Sequence, residues 1–136
     1  MTDLELPIAA AVPPELPKIL IVDDLAANRL ALRRLLSKVG AELIEADSGN
    51  EALAACLDHH FALILLDVNM PEMDGFEVAE LLGEDEGSKD TPIIFISAAY
   101  DDMNRLKGYG SGAVDYIAKP VNEAILKSKV GVFLEL

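Results

Sequence analysis

A doubly wound α/β fold around a parallel sheet is predicted by three features of the sequence. From Lys18 onward short aliphatic runs alternate with helical patterns, four of the five runs are apolar almost without interruption, and polar residues follow the runs directly. Continuous apolarity belongs to parallel strands buried on both faces. Five β/α units of about 20 to 25 residues each give right-handed crossovers with helices on both faces of the sheet.

The elements follow in order. Residues 1–17 hold Pro7, Pro13, Pro14 and Pro17 with three acids and no base, and are expected to form a flexible tail ahead of a domain over 18–136. The first strand is Ile19 to Val22, and Leu32, Leu35, Leu36 and Val39 make the apolar stripe of the helix after it. Leu43-Ile44 lies between Glu42 and Glu45 and reads as an edge strand. Leu53, Cys56 and Leu57 stripe a second helix, which places Cys56 in the core and His59-His60 at a helix end, where a cation suits the dipole. Phe61 to Leu66 is the third strand, Val78, Leu81 and Leu82 stripe the third helix, and Pro92 to Ile96 is the fourth strand. Gly40 and Gly83 stand where helix C-caps are expected. A fourth helix around Asp102 to Gly110 is the weakest, with Met103, Leu106 and Tyr109 to anchor it and two glycines against it. Val114 to Ala118 is the fifth strand, and a fifth helix ends the chain.

Charge excludes several function classes. The 136 residues carry 24 acids and 11 bases, a net charge of −13, which argues against direct nucleic-acid binding and against an anionic membrane surface. A single cysteine forms no intramolecular disulfide, and no Cys/His cluster suggests zinc. The apolar stretch Ile8 to Val12 is short and follows acids rather than Lys or Arg, so it does not read as a signal peptide, and no run is long enough to span a bilayer. A cytoplasmic protein is expected.

In doubly wound sheets the ligand site lies at the carboxyl ends of the strands. Strand one ends in Asp23-Asp24, strand three in Asp67, strand four in Ser97 and strand five in Lys119-Pro120. Singly, Asp24 reads as a helix cap, Ser97 as a turn residue and Lys119 as a solvated strand end. Together they put three carboxylates, a hydroxyl and an ammonium on one rim. Clustered carboxylates repel one another unless a cation neutralises them, and a hard divalent ion such as Mg²⁺ takes such oxygen ligands together with phosphate oxygens. Three negative charges, a divalent ion and Lys119 sum to zero, a site poised for a phosphoryl group with one carboxylate as nucleophile.

The stretches IVDD (21–24), LILLDVNMPEMDG (63–75), IFISAA (94–99) and DYIAKP (115–120) resemble, in order and spacing, the receiver domains of two-component response regulators. The resemblance implies the CheY-like, flavodoxin-like strand order 2-1-3-4-5. It implies that Asp67 accepts phosphoryl from a histidine kinase or histidine phosphotransfer protein. It further implies that Mg²⁺, with Mn²⁺ able to substitute, is held by Asp23, Asp24, Asp67 and the main-chain carbonyl of Asn69. Ser97 and Tyr116 fall at the family's switch positions, and Lys119-Pro120 falls where the family typically has a cis peptide, which would aim Lys119 back into the site. Phosphorylation would alter the face of the fourth helix, fifth strand and fifth helix. Asn69 and Ala99 occupy positions that tune phosphoryl lifetime in the family, Ala98 is small as the family prefers, and Gly110 to Ala113 is richer in glycine than usual.

Alternatives share the physics. A degenerate receiver would act only as an interaction module. A haloacid-dehalogenase-type phosphatase needs an Asp two residues after the nucleophile, where this chain has Asn69, and a flavodoxin-like cofactor binder needs a phosphate cradle where Asp23-Asp24 stands. The last helix carries one stripe of Val121, Ala124, Ile125 and Val132 and a second of Leu126, Val130, Phe133 and Leu134, wider than packing on a sheet requires. The expectation is an N-terminal module of a longer protein, with an output module in the same chain and a homodimer through the switch face or the last helix.

Overall fold

The computed structural model describes residues 15–98 and 113–135. In order these form β1 (Lys18–Val22), α1 (Ala26–Leu35), β2 (Glu42–Ala46), α2 (Gly49–Asp58), β3 (Leu63–Asp67), α3 (Gly75–Glu84), β4 (Ile93–Ser97), β5 (Ala113–Ala118) and α4 (Glu123–Leu134). All five strands are parallel, in the order β2-β1-β3-β4-β5. The expected helix around 102–110 and the glycine-rich residues 110–112 lie outside the described residues, as does most of the expected tail.

Side chains along a strand point alternately to opposite faces, so each apolar run serves two cores. Leu20, Val22, Ile64, Leu66 and Phe95 face α2 and α3, meeting Ala52, Phe76, Val78, Ala79 and Leu82. Ile19, Ile21, Leu63, Leu65, Ile94, Ile96 and Ile117 face the other way and meet Leu32 and Leu36, and Leu126 and Val130 of α4. Phe76 and Phe95 pack as tilted rings with centroids 4.8 Å apart, a favourable aromatic geometry.

Helix starts are set by side-chain caps. Ser48 Oγ accepts from the Glu51 N–H, and Asp74 and Glu77 form a reciprocal capping box at α3. Asn122 accepts from the Ile125 N–H at the start of α4. No side chain caps α1, whose N-cap is Leu25, so Asp24 is not spent as a helix cap.

Several expectations are corrected. Gly83 lies inside α3 rather than beyond its end, because Glu84 still has helical backbone. Gly40 is not the cap of α1, which ends at Leu35. It takes a positive φ of 81° where the chain turns into β2. Leu57 and Leu81 leave their stripes and are exposed, while Ala52 and Ala79 fill the buried positions of α2 and α3, where close helix packing selects small residues. On α4 only the stripe of Leu126 and Val130 is buried, and Ile125 and Val132 face solvent. His59 stands at the end of α2 as expected, where its backbone N–H donates to the Ala55 carbonyl, and its Nδ1 lies 3.1 Å from the Lys18 ammonium.

Two contacts hold the site end of the sheet in place. A Cβ added at Gly75 would lie 2.5 Å from the Asp67 carbonyl oxygen and 2.9 Å from Val68 Cα, so α3 packs against the end of β3 at a distance only glycine permits. At the edge of the sheet Glu45 of β2 takes Arg29 Nε on Oε1 at 3.0 Å and Arg33 Nε on Oε2 at 2.7 Å, strapping α1 to the sheet margin. The hydrogen bond and charge of Arg33, reinforced by Arg29 and opposed by burial, hold the Glu45 carboxyl below its ordinary value.

Gly75→Ala is expected to destabilise by about 2 kcal/mol, as backbone must shift to admit the methyl group, read by urea unfolding. Glu45→Gln should cost about 1 kcal/mol at neutral pH, an amount kept small by solvent around the pair. Because the folded-state pKa is depressed, this stability is present above the ordinary value of 4.5 and is lost as pH falls through the lower folded value. Parent and variant should therefore converge in acid.

Candidate functional site

Asp23 follows β1 directly, Asp67 ends β3, Ser97 ends β4 and Lys119 follows β5, so parallel pairing alone brings four polar residues to one rim. Asp23, Asp67 and Ser97 are buried, at 2%, 3% and 0% exposure, where an unsatisfied polar group would be costly. Each has partners. Asp23 Oδ1 accepts from the Leu25 N–H at 2.9 Å and from Asn28 Nδ2 at 3.3 Å. Lys119 Nζ stands 3.1 Å from Asp67 Oδ1 and 3.6 Å from Asp23 Oδ2, bridging the two acids. Ser97 Oγ accepts from Asn69 Nδ2 at 3.3 Å.

Carboxylate oxygens of Asp23, Asp24 and Asp67 all lie within 4.8 Å of one another, close enough to share one cation. Lys119 alone leaves this cluster negative. Burial, and then the charge of Asp23, push the Asp67 carboxyl above its ordinary value, and the Lys119 ammonium and the Asn69 N–H only partly reverse the shift. Burial would lower the pKa of Lys119, yet the hydrogen bond and charge of Asp67, with Asp23 behind them, raise it. Hard oxygen donors with an excess of negative charge fit a divalent cation of the Mg²⁺ type.

The remaining site residues sit around this centre. The Lys119-Pro120 peptide is cis, as the resemblance implied. The Ser97 carbonyl accepts from the Lys119 N–H and from the Tyr116 hydroxyl, both at 3.0 Å, joining the end of β5 to that of β4. Beyond Asp67, the Met73 N–H donates to the Pro71 carbonyl at 2.7 Å across Glu72, whose φ is 68°, a tight γ-turn that reverses the chain into α3. Met70 is buried and Met73 half-buried, both against the core.

These residues are matched by a family described as the response regulator receiver domain, over residues 19–131. The chain belongs to that family. This receiver domain is 43% identical over 114 residues to the transcriptional regulatory protein SrrA of Staphylococcus aureus, covering 82% of the chain and 46% of SrrA. It thus spans about half the length of that curated relative. Among solved structures it resembles the chemotaxis response regulator CheY4 of Vibrio cholerae, at 31% identity and a TM-score of 0.78 over 87% of this chain and 98% of that one. The receiver domain of the sensor histidine kinase PA1611 from Pseudomonas aeruginosa PAO1, described with a magnesium ion coordinated in its active site cleft, shares the fold at 24% identity and a TM-score of 0.79, over 90% of this chain and all of that one.

All five strand-end residues of the receiver expected from the sequence come together, with Asn69 and Tyr116 beside them. Sequence reasoning missed Asn28, Arg29, Glu45 and Gly75. The i, i+4 spacing of Arg29 and Arg33 on one helix face, with an acid on the edge strand, was a signal for the strap, whereas the crowding at Gly75 exists only in three dimensions. Among the described residues no helix is long and apolar enough to cross a membrane.

Lys119→Met is expected to lower stability in EDTA by about 2 kcal/mol, since it strips the countercharge from two buried carboxylates; the figure is held below that of a fully buried pair by the partial exposure of the ammonium. Denaturant unfolding of parent and variant measures it.

Proposed function

We propose that this receiver domain is a phosphoacceptor switch in which Asp67 takes a phosphoryl group from a phosphohistidine of a histidine kinase or histidine phosphotransfer protein. One observation carries the reading: Asp67 is buried at a strand end against Asp23, Asp24 and Lys119, in a cluster still short of positive charge. Asp23, Asp24, Asp67 and the Asn69 carbonyl would hold Mg²⁺, and the same oxygen donors suit Mn²⁺. When bound, the ion would neutralise the acids and attract the oxygens of the incoming phosphoryl group. The magnesium ion described for the Pseudomonas receiver supports this choice.

Asp67 acts as nucleophile. A carboxylate oxygen forms the O–P bond as the N–P bond of the phosphohistidine breaks, and the departing imidazole keeps the electron pair and takes up a proton. Lys119 stays on the acceptor and balances charge on the phosphoryl oxygens. Ser97 leaves Asn69 to donate its hydroxyl to the phosphoryl group. Its carbonyl is held by Tyr116, so a shift of Ser97 is passed to β5 and to the surface which that strand presents. The domain turns over no substrate other than its own phosphoryl group, and so is a signalling module rather than an enzyme.

A receiver over 18–136 then works in the cytoplasm as one module of a longer protein with its output module. The greater length of SrrA and its description as a transcriptional regulatory protein support such an arrangement. Ile125 and Val132, exposed along α4, suit pairing with a second copy or continuation into a coiled coil.

With Mg²⁺ and acetyl phosphate, intact-mass measurement should show the addition of one phosphoryl group. Asp67→Asn should abolish it, and labelling that survives this substitution would refute the assignment. Ser97→Ala should still be labelled but should lose the change in partner affinity that phosphorylation produces in the parent.

A further inference from the structure

Resting on the reading of Asp23, Asp24 and Asp67 as a divalent-cation site, we propose that Arg29 is a positioning residue that sets the cation affinity of that site through the Asp23 carbonyl. Arg29 Nη1 donates to this carbonyl at 2.8 Å while its Nε donates to Glu45 at 3.0 Å, and the side chain is only 17% exposed. The carbonyl lies in the peptide plane leading from Asp23 into Asp24. A rigid guanidinium fork gripping that plane fixes the direction in which Asp24 leaves, and hence where its carboxylate stands relative to those of Asp23 and Asp67.

The rest of Asp23 is pinned as well. Its N–H donates to the Ala46 carbonyl at 3.2 Å, and its Oδ1 accepts from the Leu25 N–H and Asn28. On the carbonyl side the hold comes from Arg29. Glu45 keeps the fork in orientation, is itself braced by Arg33 at 2.7 Å, and offsets the charge of Arg29, so that a cation beside the acids meets little repulsion from it. Arg33 offers a control within the same strap. It binds Glu45 Oε2 and the Leu43 carbonyl, and neither bond reaches Asp23.

The sign of the effect separates positioning from plain electrostatics. Deleting a positive charge near an acidic site should strengthen cation binding if charge alone acts, whereas losing a hold on the ligand-bearing turn weakens it. The experiment is calorimetric titration of Mg²⁺ into the unphosphorylated chain, with urea unfolding in EDTA run on every variant. Arg29→Ala is expected to weaken Mg²⁺ binding roughly tenfold, the order seen when a residue orienting a metal ligand is removed. Arg29→Met, which keeps the packing of the stem and protects folding, should show the same loss. Arg33→Ala, which leaves the bond from Arg29 to the Asp23 carbonyl in place, should lower Mg²⁺ affinity clearly less than Arg29→Ala even where it lowers stability. Equal or tighter binding by the Arg29 variants would overturn the proposal, as would an equal loss in Arg33→Ala, which would mean general loosening of α1. Failure of the parent to take up Mg²⁺ would refute the cation reading itself, and with it the proposal.

Discussion

The contact on which the site depends is the ammonium of Lys119 between the buried carboxylates of Asp67 and Asp23. Strand ends in a parallel sheet converge because of hydrogen bonding between apolar runs, and that convergence forces acids together whatever their repulsion. One cation reaching across from the end of β5 makes the cluster tolerable without discharging it fully: burial, and then the charge of Asp23, still push the Asp67 carboxyl up against the pull of Lys119. The stability of the fold and the chemistry of its rim are therefore in tension. An ion or a phosphoryl group finds its place in that tension, because the residues that oppose burial are the ones that attract ligands.

Around this centre the molecule commits different devices to different strand ends. At β3 the device is steric: Gly75 lets a helix approach the Asp67 carbonyl, and the γ-turn through Glu72 brings the chain round to it. At β1 it is a network of hydrogen bonds, in which Leu25 and Asn28 share the Oδ1 of Asp23 and Arg29 holds its carbonyl. At β4 the Ser97 side chain is held by Asn69 and its carbonyl by the next strand. The devices differ from one strand end to the next, while Lys119, Asn69 and Tyr116 link neighbouring ends, so a shift at one is felt at the next.

Most of the fold was legible in the chain because short continuous apolar runs, bounded by polar residues, alternate with longer segments striped at helical spacing. The rim was legible for a related reason: a strand buried on both faces admits no polar residue until it ends, so Asp23, Asp67 and Ser97 mark the limits of β1, β3 and β4 as well as the site. What escaped was tertiary. Leu57 and Leu81 fall on plausible stripes, but small residues at Ala52 and Ala79 bring α2 and α3 in so closely that the leucines are turned out. Gly83 fits a cap by position, yet only the path of the backbone decides where α3 stops. Arg29 is an ordinary helix residue until the folded chain sets it under the Asp23 carbonyl.

The division of the apolar runs between two cores has an evolutionary consequence. Ile19, Ile21 and Ile96 belong to one layer, while Leu20, Val22 and Phe95, their immediate neighbours in sequence, belong to the other. The layers share strand backbone but few side-chain contacts, so a volume change repaired within one need not be felt in the other. Helices α1 and α4 can drift as a set, and α2 and α3 as another, while the rim between them keeps its composition. Lineages built on this plan could diversify one surface at a time and keep a single chemistry.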